Sequence, residues 1–327
     1  MSAWRDGVRR VNDAPLVLAG VWVMTVLLSL PLTLALRDSL ATHLGSSLAA
    51  DRAANGVDYD WMQEFSDVAT GAAVTFRPTI LGFGAVLDNL SAFLDDTTRP
   101  IAIVAFASAY LLLWIFLAGG ILDRFARDRA TRANGFFAAC GVFFFRFLRL
   151  GAVQWIVYAS LFGGVHVWLF DRLYPRLIRD LTVERTAFLI RLSMYVVFGL
   201  ALAGCNAIFD YAKVRAVVED RRSVLGALTA AVRFIGRNPA AAATLYLLDF
   251  LLFLIVIAVY AAIAPDASTP VWSALIVGQV YIVARLWVKL VFWASEVALF
   301  QERLAHAGYV ARPEPTWPDS PAADAIM

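Results

Sequence analysis

The chain predicts an all-α integral membrane protein, with six transmembrane helices as three repeated hairpins and cytoplasmic interfacial amphipathic helices between them. Three observations carry that expectation. Of 327 residues, 61% are hydrophobic and only 17% charged, whereas soluble domains run to roughly half and a quarter. Several apolar runs reach the ~20 residues that an α-helix needs to cross a ~30 Å hydrocarbon layer. The third observation is an internal echo. Asp123 and Arg146 are 23 positions apart, as are Asp210 and Arg233, and the second pair is displaced from the first by 87. Repeats of this kind decide architecture before other readings do.

Hydropathy places the spans at about Ala14 to Leu36, Pro100 to Leu122, Leu150 to Phe170, Leu192 to Phe209, Pro239 to Ala262 and Val271 to Leu299. The basic opening around Arg5, Arg9 and Arg10 resembles that of a signal peptide. The apolar region behind it exceeds the usual 7–15 residues, so it reads as an uncleaved first span. VRRVNDAP before that span matches VRFIGRNP before the fifth, and FRFLRLGA stands at the corresponding place before the third. The acids Asp123, Asp210 and Glu296 stand at the exits of the second, fourth and sixth. Each unit is therefore expected to be a short interfacial helix followed by an up-and-down hairpin, with parallel units about the membrane normal. Gly135 to Leu148 and Val224 to Ile235 interleave Arg with Phe, Val, Leu and Ala at near-helical spacing, as helices lying in the interface do. Membrane anchoring is their simplest role, ahead of specific lipid recognition. Asn238-Pro239 suits the break between such a helix and the next span, since a proline at the first helical position has no amide donor to lose.

Short-loop positive charge orients the chain. Arg5, Arg9 and Arg10 precede the first span, Arg124, Arg127, Arg129 and Arg132 follow the second, and Lys213, Arg215, Arg221 and Arg222 follow the fourth. All fall on one side, which places both termini in the cytoplasm. The segment 37–99 is then an external acidic insertion, with nine acidic residues against four basic. Arg172, Arg176, Arg179 and Arg185 run against this topology, partly offset by Asp171, Asp180 and Glu184. Within the insertion, 79–94 reads as an amphipathic external helix or a re-entrant piece. The membrane domain is expected to span 1–308, and the proline-rich 309–327 to be a disordered cytoplasmic tail.

Charges inside spans are the leading functional candidates, because each costs ~2.5–3.5 kcal/mol at a helix centre on insertion scales. They form a candidate intramembrane cluster of Asp249, Arg285, Lys289 and Glu296. Asp249 and the two cations are expected at overlapping depths in the fifth and sixth spans. An ion pair of Asp249 with Arg285 or Lys289, holding that hairpin together, is the first reading, and an ion or substrate pathway the alternative. Arg285, Lys289 and Glu296 fall near one helical face.

A net charge of +2 with basic residues in short blocks gives no case for nucleic acid. Cys140 and Cys205 form neither a disulfide framework nor a Cys-x-x-Cys pair, and His43, His166 and His306 are too scattered for a shared metal. Neither a Walker phosphate loop, a Gly-x-Ser-x-Gly nor a His-Glu-x-x-His occurs. Asp58, Asp60 and Glu64 lack calcium-loop spacing. No cofactor or metal is therefore expected.

At GGILDRFARDRATRANGFF and FDYAKVRAVVEDRRSVLGALTAAVRFIGRNP the chain resembles bacterial polytopic membrane proteins of uncharacterised function, related to the membrane domain attached to some glycerophosphoryl diester phosphodiesterases. The resemblance covers mainly Gly119 to Leu299 and implies a bacterial cytoplasmic (inner) membrane. Neither the phosphodiesterase barrel nor its acidic metal motif is present, so that activity is not implied, and the long external insertion departs from the pattern. The expected function is that of a non-enzymatic scaffold or accessory subunit, with membrane lipids and a membrane protein as partners. The alternative is a transporter or lipid-handling protein using a cavity between the hairpins. An open polar cavity would favour the latter and a filled core the former.

Overall fold

The computed structural model describes residues 2–45, 47–54, 58–77, 82–265 and 269–303. The expected tail at 309–327 lies outside them, as do 79–81 of the segment 79–94. Among the described residues every regular element is helical, and six helices are long and apolar enough to cross a membrane. The first helix, α1 (Ser2–Asn12), is amphipathic and stops before Pro15. Ala14 takes φ −130° and ψ 52° there, and α2 (Pro15–Leu44) begins. The junction recurs at Asn238, φ −130° and ψ 45°, between α10 (Val224–Arg237) and α11 (Pro239–Ile263). Proline causes both breaks, because it disfavours helical backbone at the residue before it.

The second unit is different. The sequence predicts a separate interfacial helix and span, yet α7 (Ala133–Ser160) runs straight through Leu150. It continues as π-helical turns at Leu161–His166 and Trp168–Leu173 into α8 (Tyr174–Ile178), making one helical stretch of 46 residues. The physical reason is local: no proline stands at its junction. At ~1.5 Å per residue this helix is about 69 Å long. That exceeds a bilayer of ~40–45 Å including headgroups, so the helix extends beyond the lipid.

The remaining spans, α6 (Ile101–Arg127), α9 (Glu184–Val218) and α12 (Val271–Arg303), also outrun their hydropathic limits. α2 does the same, reaching Leu44, so the expected insertion boundary at residue 37 falls inside a helix. Its last turns carry a small separate core. α3 (Ala49–Ala54), α4 (Tyr59–Val68) and a 3-10 turn at Gly71–Thr75 place Trp61, Met62, Phe65 and Ala73 against Leu40 and Leu44. Asp58 caps α4 by accepting from the Trp61 amide at 3.2 Å, while the Trp61 indole donates to His43 Nδ1 at 3.1 Å. The helix α5 (Gly82–Leu94) follows, tied by Arg99 to Asp88 at 3.0 Å.

Burial is concentrated at one end of the helices. Residues 117–126 of α6, 209–218 of α9 and 286–300 of α12 supply most of the main core, with Cys140 and Phe147 of α7, Ala231 of α10 and Val11 of α1. The most extensive helix contacts join α1 to α12, α6 to α7 and α9 to α10. Two of these need glycine. A Cβ on Gly7 would lie 2.7 Å from the Ser295 amide nitrogen, and one on Gly120 would lie 2.8 Å from the Phe136 carbonyl. Small residues let helix backbones approach this closely in membrane proteins. Beyond this packed end the spans are open: their most apolar stretches are only 6–28% buried.

Arginines of α1 and α7 hold the loops at this end. Arg9 reaches Asp128 at 2.5 Å and Arg146 reaches Asp220 at 2.6 Å. Both aspartates adopt left-handed backbone, φ 47° and 49°, which Asp tolerates better than most residues. Arg10 is buried and donates to the Phe125 carbonyl at 2.7 Å and to Gln301 at 2.8 Å. Gln301 in turn donates to the Ala126 carbonyl at 2.9 Å, so α1 and the end of α12 both close against α6.

Candidate functional site

A polar centre lies in the packed end, assembled around Asp210 on α9. Asn206, Asp210 and Lys213 share a face of that helix through i, i+4 and i, i+3 spacing. Asn206 donates to Asp210 Oδ2 at 2.6 Å, Lys213 to Oδ1 at 2.9 Å, and the Tyr246 hydroxyl of α11 to Oδ2 at 3.4 Å. Asp210 is 4% exposed. Three donors, one of them charged, compensate its burial, as a buried carboxylate requires. Tyr158 of α7 extends the chain by donating to Asn206 at 3.5 Å.

Glu296 of α12 borders this centre and is fully buried. Neither of its carboxyl oxygens has a hydrogen-bond partner among the described residues. Asp210, Lys213 and Asp249 all lie within electrostatic reach, and the Tyr246 hydroxyl, which bonds Asp210 at 3.4 Å, is a close neighbour. The adjacent Tyr211 hydroxyl and Ser295 Oγ are likewise without partners among the described residues.

Asp249 is 1% exposed, and its Oδ1 accepts from the Trp4 indole of α1 at 3.0 Å. The expected ion pair with Arg285 or Lys289 does not form. Each cation faces aromatic rings instead. Lys289 Nζ sits 3.4 Å from the Trp114 ring centre and 5.5 Å from that of Trp293. Arg285 is exposed and lies 5.5 Å from the Tyr281 ring, itself stacked on Tyr260 at 3.8 Å. Ring quadrupoles attract desolvated cations, and α1 brings an indole donor to Asp249, so the four charges divide between separate partners. Of the expected cluster, Glu296 and Asp249 remain electrostatic neighbours, as do Lys289 and Arg285.

Asp123, equivalent in sequence spacing to Asp210, is also buried and pairs with Arg127 at 2.7 Å. In the sequence Asp210 stands out only as a repeat marker and Lys213 only as a topological charge. The signal that identifies their centre is the helical spacing of Asn206, Asp210 and Lys213 at the end of an apolar span.

Outside the spans, three carboxyls are held below the usual aspartate value, Asp58 by the hydrogen bonds from Arg52 and from the Trp61 amide. For Asp6 of α1, partial burial opposes ionisation, but the hydrogen bond from Arg9 and the charge and hydrogen bond of Arg10 outweigh it. Asp95 is held down by the Tyr195 hydroxyl, with Ser91 and Arg191 assisting against burial. His166, buried in the first π-helical turn, places Nε2 2.8 Å from the Leu94 carbonyl. That contact ties α5 to the end of the third span.

A cleft of about 10 Å³ opens beside Arg146, Arg221 and Arg222, and a shallow depression of about 530 Å³ runs past Leu34 and Arg37. Neither is lined by Asp210, Asp249 or Glu296. No cluster of three or more His, Cys, Asp or Glu side chains suited to a metal occurs among the described residues.

Six long apolar helices around a buried charged centre define a multi-pass helical membrane protein. Comparison with protein-family models, curated proteins and solved structures finds no match to the chain.

Proposed function

We propose that the protein is a non-enzymatic scaffold or accessory subunit of a membrane complex in a bacterial inner membrane, with both termini cytoplasmic. One observation carries this reading: the spans are locked together at one end, while their most apolar stretches are no more than 28% buried. Such surfaces are left for lipid or for helices of a partner. Membrane helices associate through close packing and polar contacts rather than through a hydrophobic drive, so a fixed end that presents open helices suits assembly with other spans.

The reading includes three repeated hairpins closed into a ring. It is supported by three like contacts, in which the exit ends of α6, α9 and α12 pack on α7, α10 and α1 respectively. The Arg9–Asp128 and Arg146–Asp220 pairs support it too, since the two arginines occupy matching sequence positions.

Photo-crosslinkers placed singly at the exposed Leu30, Leu111, Val196 and Ile255 in native membranes test the proposal. A reproducible protein adduct from one face of the bundle is the expected result. Lipid adducts alone at all four positions would refute it. The second reading, lipid handling, is favoured by Lys289, whose ammonium meets aromatic faces and no acidic partner among the described residues. Co-purification of one anionic lipid, lost on Lys289→Met, would select it.

A further inference from the structure

We propose that Glu296 is a proton-binding site, and that its ionisation competes with Asp210 for Lys213. The competition between three buried carboxyls decides which one holds the proton. Asp210 accepts from three donors and Asp249 from one. Glu296 accepts from none among the described residues, at 0% exposure. A buried unpaired carboxylate is far more costly than a neutral carboxyl. The negative charge of Asp210, held by Lys213, adds to that cost, because it lies within reach.

The charged groups on the other elements packed against α12 are engaged elsewhere. On α1, Arg10 is held by Asp6, Gln301 and the Phe125 carbonyl. On α6, Asp123 pairs with Arg127, and Arg124 donates to the Asp13 carbonyl at 3.3 Å. α2 carries its charges, Arg37 and Asp38, toward its far end, and Asp249 is the single charged residue of α11. Along α12 itself, Lys289 and Arg285 lie over rings. On α9, Tyr211 adds a hydroxyl and Lys213 the nearby cation, already bonded to Asp210 at 2.9 Å.

Loss of the Glu296 proton therefore leaves a carboxylate that draws on donors now serving Asp210: the Tyr246 hydroxyl has one proton and must leave Asp210 to bond it, while the Lys213 ammonium has three N–H groups and is shared between the two acids. The proton departs, the carboxylate remains, and these two donors are redistributed between Asp210 and Glu296. They belong to α9 and α11, so one proton alters how both helices meet α12. Intramembrane acids that face a bundle interior commonly mark proton relays.

The test is infrared spectroscopy of the full chain in lipid nanodiscs over a pH titration, with isotopic labelling of glutamate. Among the other described glutamates, Glu64, Glu184 and Glu302 are exposed and Glu219 is ion-paired, so a weakly bonded, protonated glutamate band identifies Glu296. That band is expected at neutral pH, lost on raising pH and absent in Glu296→Gln. No such band at neutral pH in the labelled, unmodified protein overturns the proposal. So does a band unchanged in Glu296→Gln. Should that variant fail to fold, the pH titration of the unmodified protein still separates the two outcomes.

Discussion

Replacing Gly7 by alanine sets two effects against each other, and the structure decides which prevails. In an isolated helix, Gly→Ala stabilises by about 1 kcal/mol. In this protein the added Cβ would lie 2.2 Å from Ser295 Oγ, 2.7 Å from its amide nitrogen and 2.8 Å from its Cα. The hydroxyl can rotate away, but the backbone atoms cannot, so α1 must lift from α12. Overpacking costs about 1–3 kcal/mol. Lifting α1 also stretches the Trp4–Asp249 hydrogen bond and the Arg10 contacts with Phe125 and Gln301. We expect a net weakening of α1 docking by about 1–2 kcal/mol, equivalent to about 5–30-fold in an equilibrium constant. Hydrogen exchange of the α1 amides reads this directly, and protection should fall by that factor in Gly7→Ala. Ser295→Gly should restore only part of it, because the backbone contacts persist. Equal or greater protection in Gly7→Ala would mean that propensity governs α1 and that its docking on α12 is wrong.

The other predictions concern the charges. Asp249→Asn and Lys289→Met should be additive in thermal or denaturant stability, with coupling below about 0.5 kcal/mol, and strong mutual rescue would restore the ion pair that the structure lacks. Trp4→Phe should cost about 1–3 kcal/mol by stranding a buried acceptor, and Asp249→Leu should make the same substitution nearly neutral. Because the folded-state value of Asp6 lies below the ordinary 3.8, its contribution is full above that pH and is lost as pH falls through the lowered value. Hydrogen exchange measured in acid should therefore show a loosening of α1 that Asp6→Asn already has at neutral pH.

All six apolar runs seen in the sequence correspond to long helices; the expected start at Pro239 coincides with the structure, and the one at about Ala14 lies one residue before the helix start at Pro15. Proline acts through its own ring and the residue before it, so a break it causes is legible without knowing the fold. Helix ends are less legible. Hydropathy places them at Leu36, Leu122, Phe209 and Leu299, whereas the helices reach Leu44, Arg127, Val218 and Arg303. A hydropathic run ends where lipid contact would become costly, but a helix continues as long as packing or water satisfies its side chains. For the same reason Gly135 to Leu148 reads in sequence as a separate interfacial helix and is the first part of α7.

Composition and span positions thus determined the all-α class and the presence of buried charge. The tertiary structure decided what each charge meets. Asp249 finds Trp4 at a sequence distance of 245 residues, and Arg10 finds Gln301 at 291. Spacing along one helix can place Arg285, Lys289 and Glu296 on a face, but it cannot say that α1 will pack on α12 and bring Trp4 to Asp249. That depends on Gly7 letting two backbones approach. Once they do, the low dielectric of the packed end makes the identity of each neighbour, rather than depth in the span, decide where the charges rest.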